Sequence, residues 1–323
     1  MKKSVKALAL AMCLVISVSL FAGCGKSSSS TSSTSSNAKK IVIGLSMNTQ
    51  SNPFFVDVKA GVQKVANDNN VTLYVTDAQN DASIQVSDIE NLIQKKPDAI
   101  IIDPADSDAI VAAIQSCNAA GIPVITMDRQ SNGGVVASHI GYNAIKSGTI
   151  AANFLIDTFK NKATVNVVEI QGIMGTNVAK DRSKGFNDTI ATAKNFKKVA
   201  TQAADFDRAK AMTVMENILQ ANPNIDCVYA ANDEMGLGAL AAITAAGRLD
   251  KITVISCDAI DPAIAKIKSG ELKATIAEPP FFLGEKGLNI ALDVLNKKTV
   301  EKLIMLDNKL VTKANVDALK TRD

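Results

Sequence analysis

The chain reads as α/β, built as two doubly wound parallel-sheet lobes, and three observations predict it. Apolar runs rich in β-branched residues recur with helical segments between them, as the βα units of a covered parallel sheet require. The alternation breaks at Ser131-Asn-Gly-Gly134 and resumes after Tyr142-Asn143, so a second lobe of the same kind follows the first. A length of 323 residues, 47% of them hydrophobic, supplies material for about two domains.

Taken in order, residues 41–47 form an apolar strand, and 54–69 have helical spacing at Phe55, Val58, Val62 and Val65. Next come a strand at 71–76, a helix at 83–95, a strand at 99–102 and a helix at 108–120 closed by Gly121. The strand opened by Pro123 completes four successive βα units. Past the break, a long helical stretch runs to Lys160. Strands then begin at Val165, Val199, Val228 and Ile252, separated by helices at 177–194, 208–220 and 234–246. A last strand at 274–277 leads through Glu278-Pro-Pro280 to a helix at 284–296 and to short strand-like pieces near Leu303 and Leu310. Elements remain after the second lobe, so a return crossover between the lobes is expected.

The start of the chain has another character. Met1-Lys2-Lys3, an apolar or small stretch over 7–22 and Leu20-Phe-Ala-Gly-Cys24 read as an export signal over 1–23, too short in its core for a membrane span. Leu-x-Ala-Gly-Cys resembles the bacterial lipoprotein signal, which implies lipidation of Cys24 and anchoring at the outer face of the cell membrane or in the periplasm. The Ser/Thr-rich segment within 24–39 cannot bury apolar surface and reads as a tether. Cys117, Cys227 and Cys257 have no metal or disulfide spacing and are expected as buried thiols. A net charge of +3 without a basic block or Trp excludes a polyanion footprint, so no nucleic acid is expected.

Polar residues recur where apolar strands stop: Asp103, Asp128-Arg129, Asn232-Asp233, Asp258 and Glu278. Singly, each is an ordinary turn, cap or surface-pair residue. Together, at the carboxyl ends of parallel strands, they line the crevice where such sheets bind ligands. At the centre is Pro123-Val-Ile-Thr-Met-Asp128-Arg129. Asp accepts hydrogen bonds and Arg offers a rigid fork of donors, so the pair suits neighbouring hydroxyls of a small polyol.

Ser51-Asn-Pro-Phe-Phe55, the Pro123–Arg129 run, Glu169-Ile-Gln-Gly172, Ala204-Asp-Phe-Asp-Arg208, Asn232-Asp-Glu-Met235 and Ala274-Thr-Ile-Ala277 carry a family resemblance. In order, from about Lys40 to Thr312, the chain resembles the type I periplasmic sugar-binding proteins, and among them the ribose binders. The resemblance implies two lobes joined by a three-segment hinge, with crossings near Tyr142-Asn143, Glu278-Pro279 and Leu306-Asp307. It implies an N-terminal lobe of 40–142 plus 279–307 and a C-terminal lobe of 143–278 plus 308–323. It further implies closure over a monosaccharide, by a monomer that delivers it to a membrane ABC permease; a chemoreceptor as second reader stays open. Asn52, Asp128, Arg129, Arg182, Asn232 and Asp258 match positions that hydrogen-bond the sugar. Phe54, Phe55 and Phe206 match the aromatics that stack on its ring.

Two positions depart from the family pattern. Asp103 and Glu278 stand where the ribose binders have amides, so a donor is lost at each unless the acid is protonated. Three explanations compete: a ligand that donates at both positions, such as another aldose or a polyol; a cationic amino sugar; or an acid kept protonated by burial among like charges.

Other chemistries find less support. His139, the lone histidine, has no Ser or Cys elbow near it and reads as structural. No phosphate loop, dinucleotide fingerprint or zinc spacing appears, so no cofactor or metal is expected; Gly172-Ile-Met-Gly175 has the wrong form. A repressor-type regulator shares the resembled fold but needs a DNA-binding helix-turn-helix where this chain has an export signal. A secreted sugar-active enzyme would use Asp103 and Glu278 as paired acids across the cleft.

Overall fold

The computed structural model describes residues 40–320. The export signal, Cys24 and the tether lie outside the described residues.

Two six-stranded sheets organise the chain. The first contains β1 (Val42–Met47), β2 (Thr72–Asp77), β3 (Ala99–Ile102), β4 (Val124–Met127), β5 (Ser138–Tyr142) and β11 (Leu303–Leu306). Their order is β11-β5-β4-β3-β1-β2, and all pairs are parallel. The second contains β6 (Val165–Gln171), β7 (Phe196–Ala203), β8 (Cys227–Ala230), β9 (Thr253–Asp258), β10 (Ala274–Ala277) and β12 (Lys309–Thr312). Here the order is β12-β10-β9-β8-β6-β7, with β12 antiparallel to β10 and the other pairs parallel.

Helices cover both sheets: α1 (Pro53–Asp68), α2 (Ala82–Gln94), α3 (Val111–Ala119), α4 (Ala144–Thr158), α5 (Asn177–Ile190), α6 (Arg208–Ala221), α7 (Asp233–Ala245), α8 (Asp261–Ser269) and α9 (Pro280–Leu295). The helical spacing of α1 is realised as a buried stripe of Phe54, Phe55, Val58, Val62 and Val65. Between helices on both faces, β3, β4, β8 and β10 are buried along their whole length, which is why their sequences are unbroken apolar runs. The chain passes from the first sheet to the second after β5, returns after β10 and crosses again after β11, giving a three-segment hinge.

Several elements differ from the sequence reading: α9 starts at Pro280 rather than 284, α5 ends at Ile190 rather than 194, β7 starts at Phe196 rather than Val199, and three further differences follow. No helix follows β4; the chain enters β5 directly, so the first lobe has three βα units before that strand rather than four. The strand was hidden because Ser138, His139 and Gly141 break its apolar run, yet all five residues are buried. Their polarity is satisfied inside: His139 Nδ1 bonds Thr126 Oγ1 at 2.9 Å, and Ser138 Oγ donates to the Glu301 carbonyl at 2.7 Å. Burial pushes His139 down to about 4, so it is a neutral structural residue. Second, α3 starts at Val111, later than expected, because the Asp106 carboxylate accepts the amides of Asp108 and Ala109 and holds a turn first. Third, the short helix α8, opened by Pro262, was not anticipated. The three cysteines are free and buried.

Candidate ligand-binding cleft

Strand order reverses between β1 and β3 in one sheet and between β6 and β8 in the other, and crevices open at such points beyond the strands' carboxyl ends. A cavity with about 280 Å³ of empty space lies between the lobes. Asn52, Phe54, Phe55, Asp128 and Arg129 line it from the first, and Val178, Arg182, Phe206, Asn232 and Asp258 from the second. That volume is at the low end for small-molecule sites. The lobes also touch directly: Gln130 N donates to Asn177 Oδ1 at 2.8 Å, Asn177 N to Ser107 Oγ at 3.1 Å, and Ser107 N to the Gly175 carbonyl at 3.3 Å. A Cβ on Gly175 would meet the Asp106 carboxylate, which would have to swing aside.

Each lining side chain is placed by a local device. Asn52 and Asn232 are helix N-caps whose Oδ1 atoms accept the amides of Phe54 and Met235, each at 2.9 Å. Capping therefore uses the acceptor of each amide and leaves its Nδ2 donor. Phe54 and Phe55 open α1 and meet edge to face at 5.1 Å between centroids. The Arg129 guanidinium lies over Phe55 at 5.4 Å and over Phe206 of the opposite lobe at 5.5 Å. Phe206 is seated on Gly172, where any Cβ would overlap the ring.

Three lining residues have left-handed backbones: Asp128 with φ 58°, Phe206 with φ 60° and Asp258 with φ 123°. Non-glycine residues seldom adopt such angles, and when they do the surroundings must hold them. For Asp258 the hold comes from the fully buried Asp233, which accepts the Ile260 amide at 2.9 Å and the hydroxyls of Ser256 and Thr275.

The charged groups are not independent. Arg182 donates Nη1 to the Ala231 carbonyl at 2.7 Å and Nη2 to both Asp258 Oδ1, at 3.1 Å, and Glu278 Oε2, at 2.5 Å. Burial works against its charge, but Glu278 and Asp258 outweigh it and raise its pKa. Burial pushes Asp128 up to about 6, although Arg129 and Arg182 pull the other way. It raises Asp258 against the pull of Arg182, and it raises Asp103 together with the charge of Asp128. Arg129 is lowered by burial, against Asp103 and Asp128.

Nine of the eleven residues singled out from sequence line the cavity; Asp103 and Glu278 do not. Asp103 is fully buried beside Arg129, whose backbone amide and charge both act on its carboxylate. Glu278 sits at the hinge, where Oε1 accepts from Ser147 Oγ and, at 2.9 Å, from Asn308 Nδ2. Sequence reasoning missed Val178, which reads as ordinary helix core, and the hinge partners Ser147 and Asn308. For the last two the only available signal was a small polar residue in an apolar context next to a crossing.

A model of the periplasmic binding protein domain matches residues 43–299. The ribose import binding protein of Bacillus subtilis is 44% identical over 276 residues, covering 85% of this chain and 88% of the relative. The Escherichia coli protein of the same name is 40% identical over 274 residues, covering 85% and 91%. Among solved structures, a Caulobacter myo-inositol binding protein bound to myo-inositol superposes with a TM-score of 0.82 at 32% identity, covering 86% of this chain and 95% of that one. A periplasmic solute binding protein of an ABC transporter from Actinobacillus succinogenes, with bound D-allose, gives 0.81 at 31% identity, covering 87% and 100%. With its two crossed lobes and a match that spans both sheets, the chain belongs to the periplasmic binding protein family.

Proposed function

We propose that the protein is the extracytoplasmic solute-binding component of an ABC importer, and that it binds a monosaccharide, ribose or a related pentose or hexose, by lobe closure. The observation that carries this reading is the composition of the cavity. Three phenylalanines offer faces for the C–H surfaces of a sugar ring, and the buried Nε donors of Arg129 and Arg182 lack protein partners. Because both lobes contribute, a ligand contacts the full set in the closed state alone and so favours closure. The names of the relatives support the ligand class, and the inositol complex supports a cyclic polyol as the second reading.

In this proposal Asn52, Phe54, Phe55, Asp128, Arg129, Arg182, Phe206, Asn232 and Asp258 contact the ligand. The lobes comprise 40–142 plus 279–307 and 143–278 plus 308–323, behind a signal at 1–23 and a tether at 24–39 anchored by lipid on Cys24. The working form is a monomer that docks on its permease when closed, and a chemoreceptor is a candidate second reader. Glu278, held by three partners of its own, is poorly placed for acid catalysis, which favours binding over hydrolysis. Calorimetric titration of the purified protein with ribose, other aldoses, inositol and amino sugars tests the reading. Submicromolar binding of one neutral sugar is expected, and silence across the panel overturns it.

A further inference from the structure

Glu278 carries a strand-end acid into the hinge, and its contacts are unusual in where they come from. Ser147 lies on α4 just past the first crossing, Glu278 is on the second, and Asn308 is on the third. Asn308 Nδ2 donates to Ser147 Oγ at 2.7 Å as well as to Glu278, which closes the set. With two donors on Oε1, the remaining oxygen goes to the Arg182 guanidinium. All three hinge residues are buried.

Arg182 is thereby committed at both ends of its fork. Nη1 is on the Ala231 carbonyl, Nη2 is shared by Asp258 and Glu278, and Nε alone lacks a protein partner. Guanidinium recognises a carboxylate or phosphate through two parallel N–H bonds, and no adjacent pair of donors is left for that. A hydroxyl or ring oxygen needs a single donor, which Nε supplies. An anion in the cavity would also meet Asp128 and Asp258, with Asp103 buried behind them.

We propose that Glu278 is a positioning residue acting through Arg182: it joins the three crossing segments and keeps the Arg182 guanidinium fork occupied, so that Arg182 offers the ligand a single donor and favours an uncharged polyhydroxy ligand over an anionic one. The proposal rests on the reading of the cleft as a sugar site and assigns Glu278 no contact with the sugar.

Glu278→Gln tests it with little change of shape. The amide oxygen can still face Ser147 and Asn308, which turns its NH₂ toward Arg182 and sets donor against donor. Crystals of this variant are expected to show Arg182 released from residue 278, with its Nη edge turned into the cavity. Titration with D-ribose and D-ribonate is expected to show ribonate about 100-fold weaker or worse in the wild type, and that ratio shrinking about tenfold or more in the variant. A general loss of stability would weaken both probes alike and leave the ratio unchanged. Asn308→Ala, which removes one anchor outside the cavity, is expected to displace the Glu278 and Arg182 side chains in the same sense, and it serves if Glu278→Gln does not fold. Unmoved Arg182 with an unchanged ribonate-to-ribose ratio overturns the proposal, as does a wild-type sugar complex with Glu278 hydrogen-bonded to the sugar. If the wild type binds no sugar, the functional reading falls, while the position of Arg182 in the variant crystals still decides this proposal.

Discussion

Asp233 Oδ2 accepts the backbone amide of Ile260 at 2.9 Å, and the turn held in this way presents Asp258 to the cleft with φ at 123°. A residue with no exposure to the cavity thus fixes the backbone of one that lines it. Replacing Asp233 by Asn puts an amide where donors converge. This is expected to cost about 1–3 kcal/mol of stability in denaturant unfolding. It should also weaken sugar binding about tenfold in calorimetry, as Asp258 relaxes.

The same residue predicts an acid response. Burial pushes Asp233 up to about 6, above the ordinary Asp value of 3.8, although Ser256 and Thr275 donate to it. The native state therefore holds this proton more tightly than the unfolded chain does. Its contribution to stability is fully present below the unfolded pKa and is lost as pH rises through about 6. Unfolding free energy measured between pH 4 and 7.5 should carry a component of order 2–3 kcal/mol, favouring acid, that Asp233→Asn removes.

Arg129 bridges the lobes by lying on Phe55 and Phe206, and Asp128 stands beside it with Oδ2 3.9 Å from its Nε. Truncating either to Ala leaves a partner in the closed cleft uncompensated. Each variant should keep its far-ultraviolet circular dichroism and bind sugar about tenfold or more weakly.

Gly172 has no room for a methyl group beneath the Phe206 ring. Gly172→Ala should push the ring from its place and raise the sugar Kd about tenfold, with a smaller effect on Tm, since Phe206 stands at the cavity wall. A crystal structure of the variant shows whether the ring has moved.

Most of the architecture was legible because strands buried on both faces must be apolar, and β3, β4, β8 and β10 have no other way to be stable. The β5 strand escaped because its polar groups are satisfied by residues remote in sequence, Thr126 and Glu301. The cleft followed from strand-end acids and amides, since parallel sheets put their ligand crevice there. The role of Glu278 did not, because its partners Ser147 and Asn308 are 131 and 30 residues away and meet it only where three crossings converge. Asp233 and Asp258 both stand at strand ends in the sequence, where only the family resemblance singled out Asp258; in the structure Asp233 is buried and hydrogen-bonded within the protein, while Asp258 lines the cavity.

The two late strands have a consequence for how the molecule comes into being. The β11 strand completes the first sheet against β5, whose residues come some 160 positions earlier, and β12 completes the second against β10. The first lobe also waits for α9, which packs on α1 and on the β3–β5 face although it follows every strand of the second sheet except β12 in sequence. Neither lobe is then an independent folding unit in order of synthesis. Closing such long loops is slow, and it exposes unpaired strand edges until the final segment arrives. Both lobes mature together, so a chain cut before Leu303 loses an edge of each sheet at once.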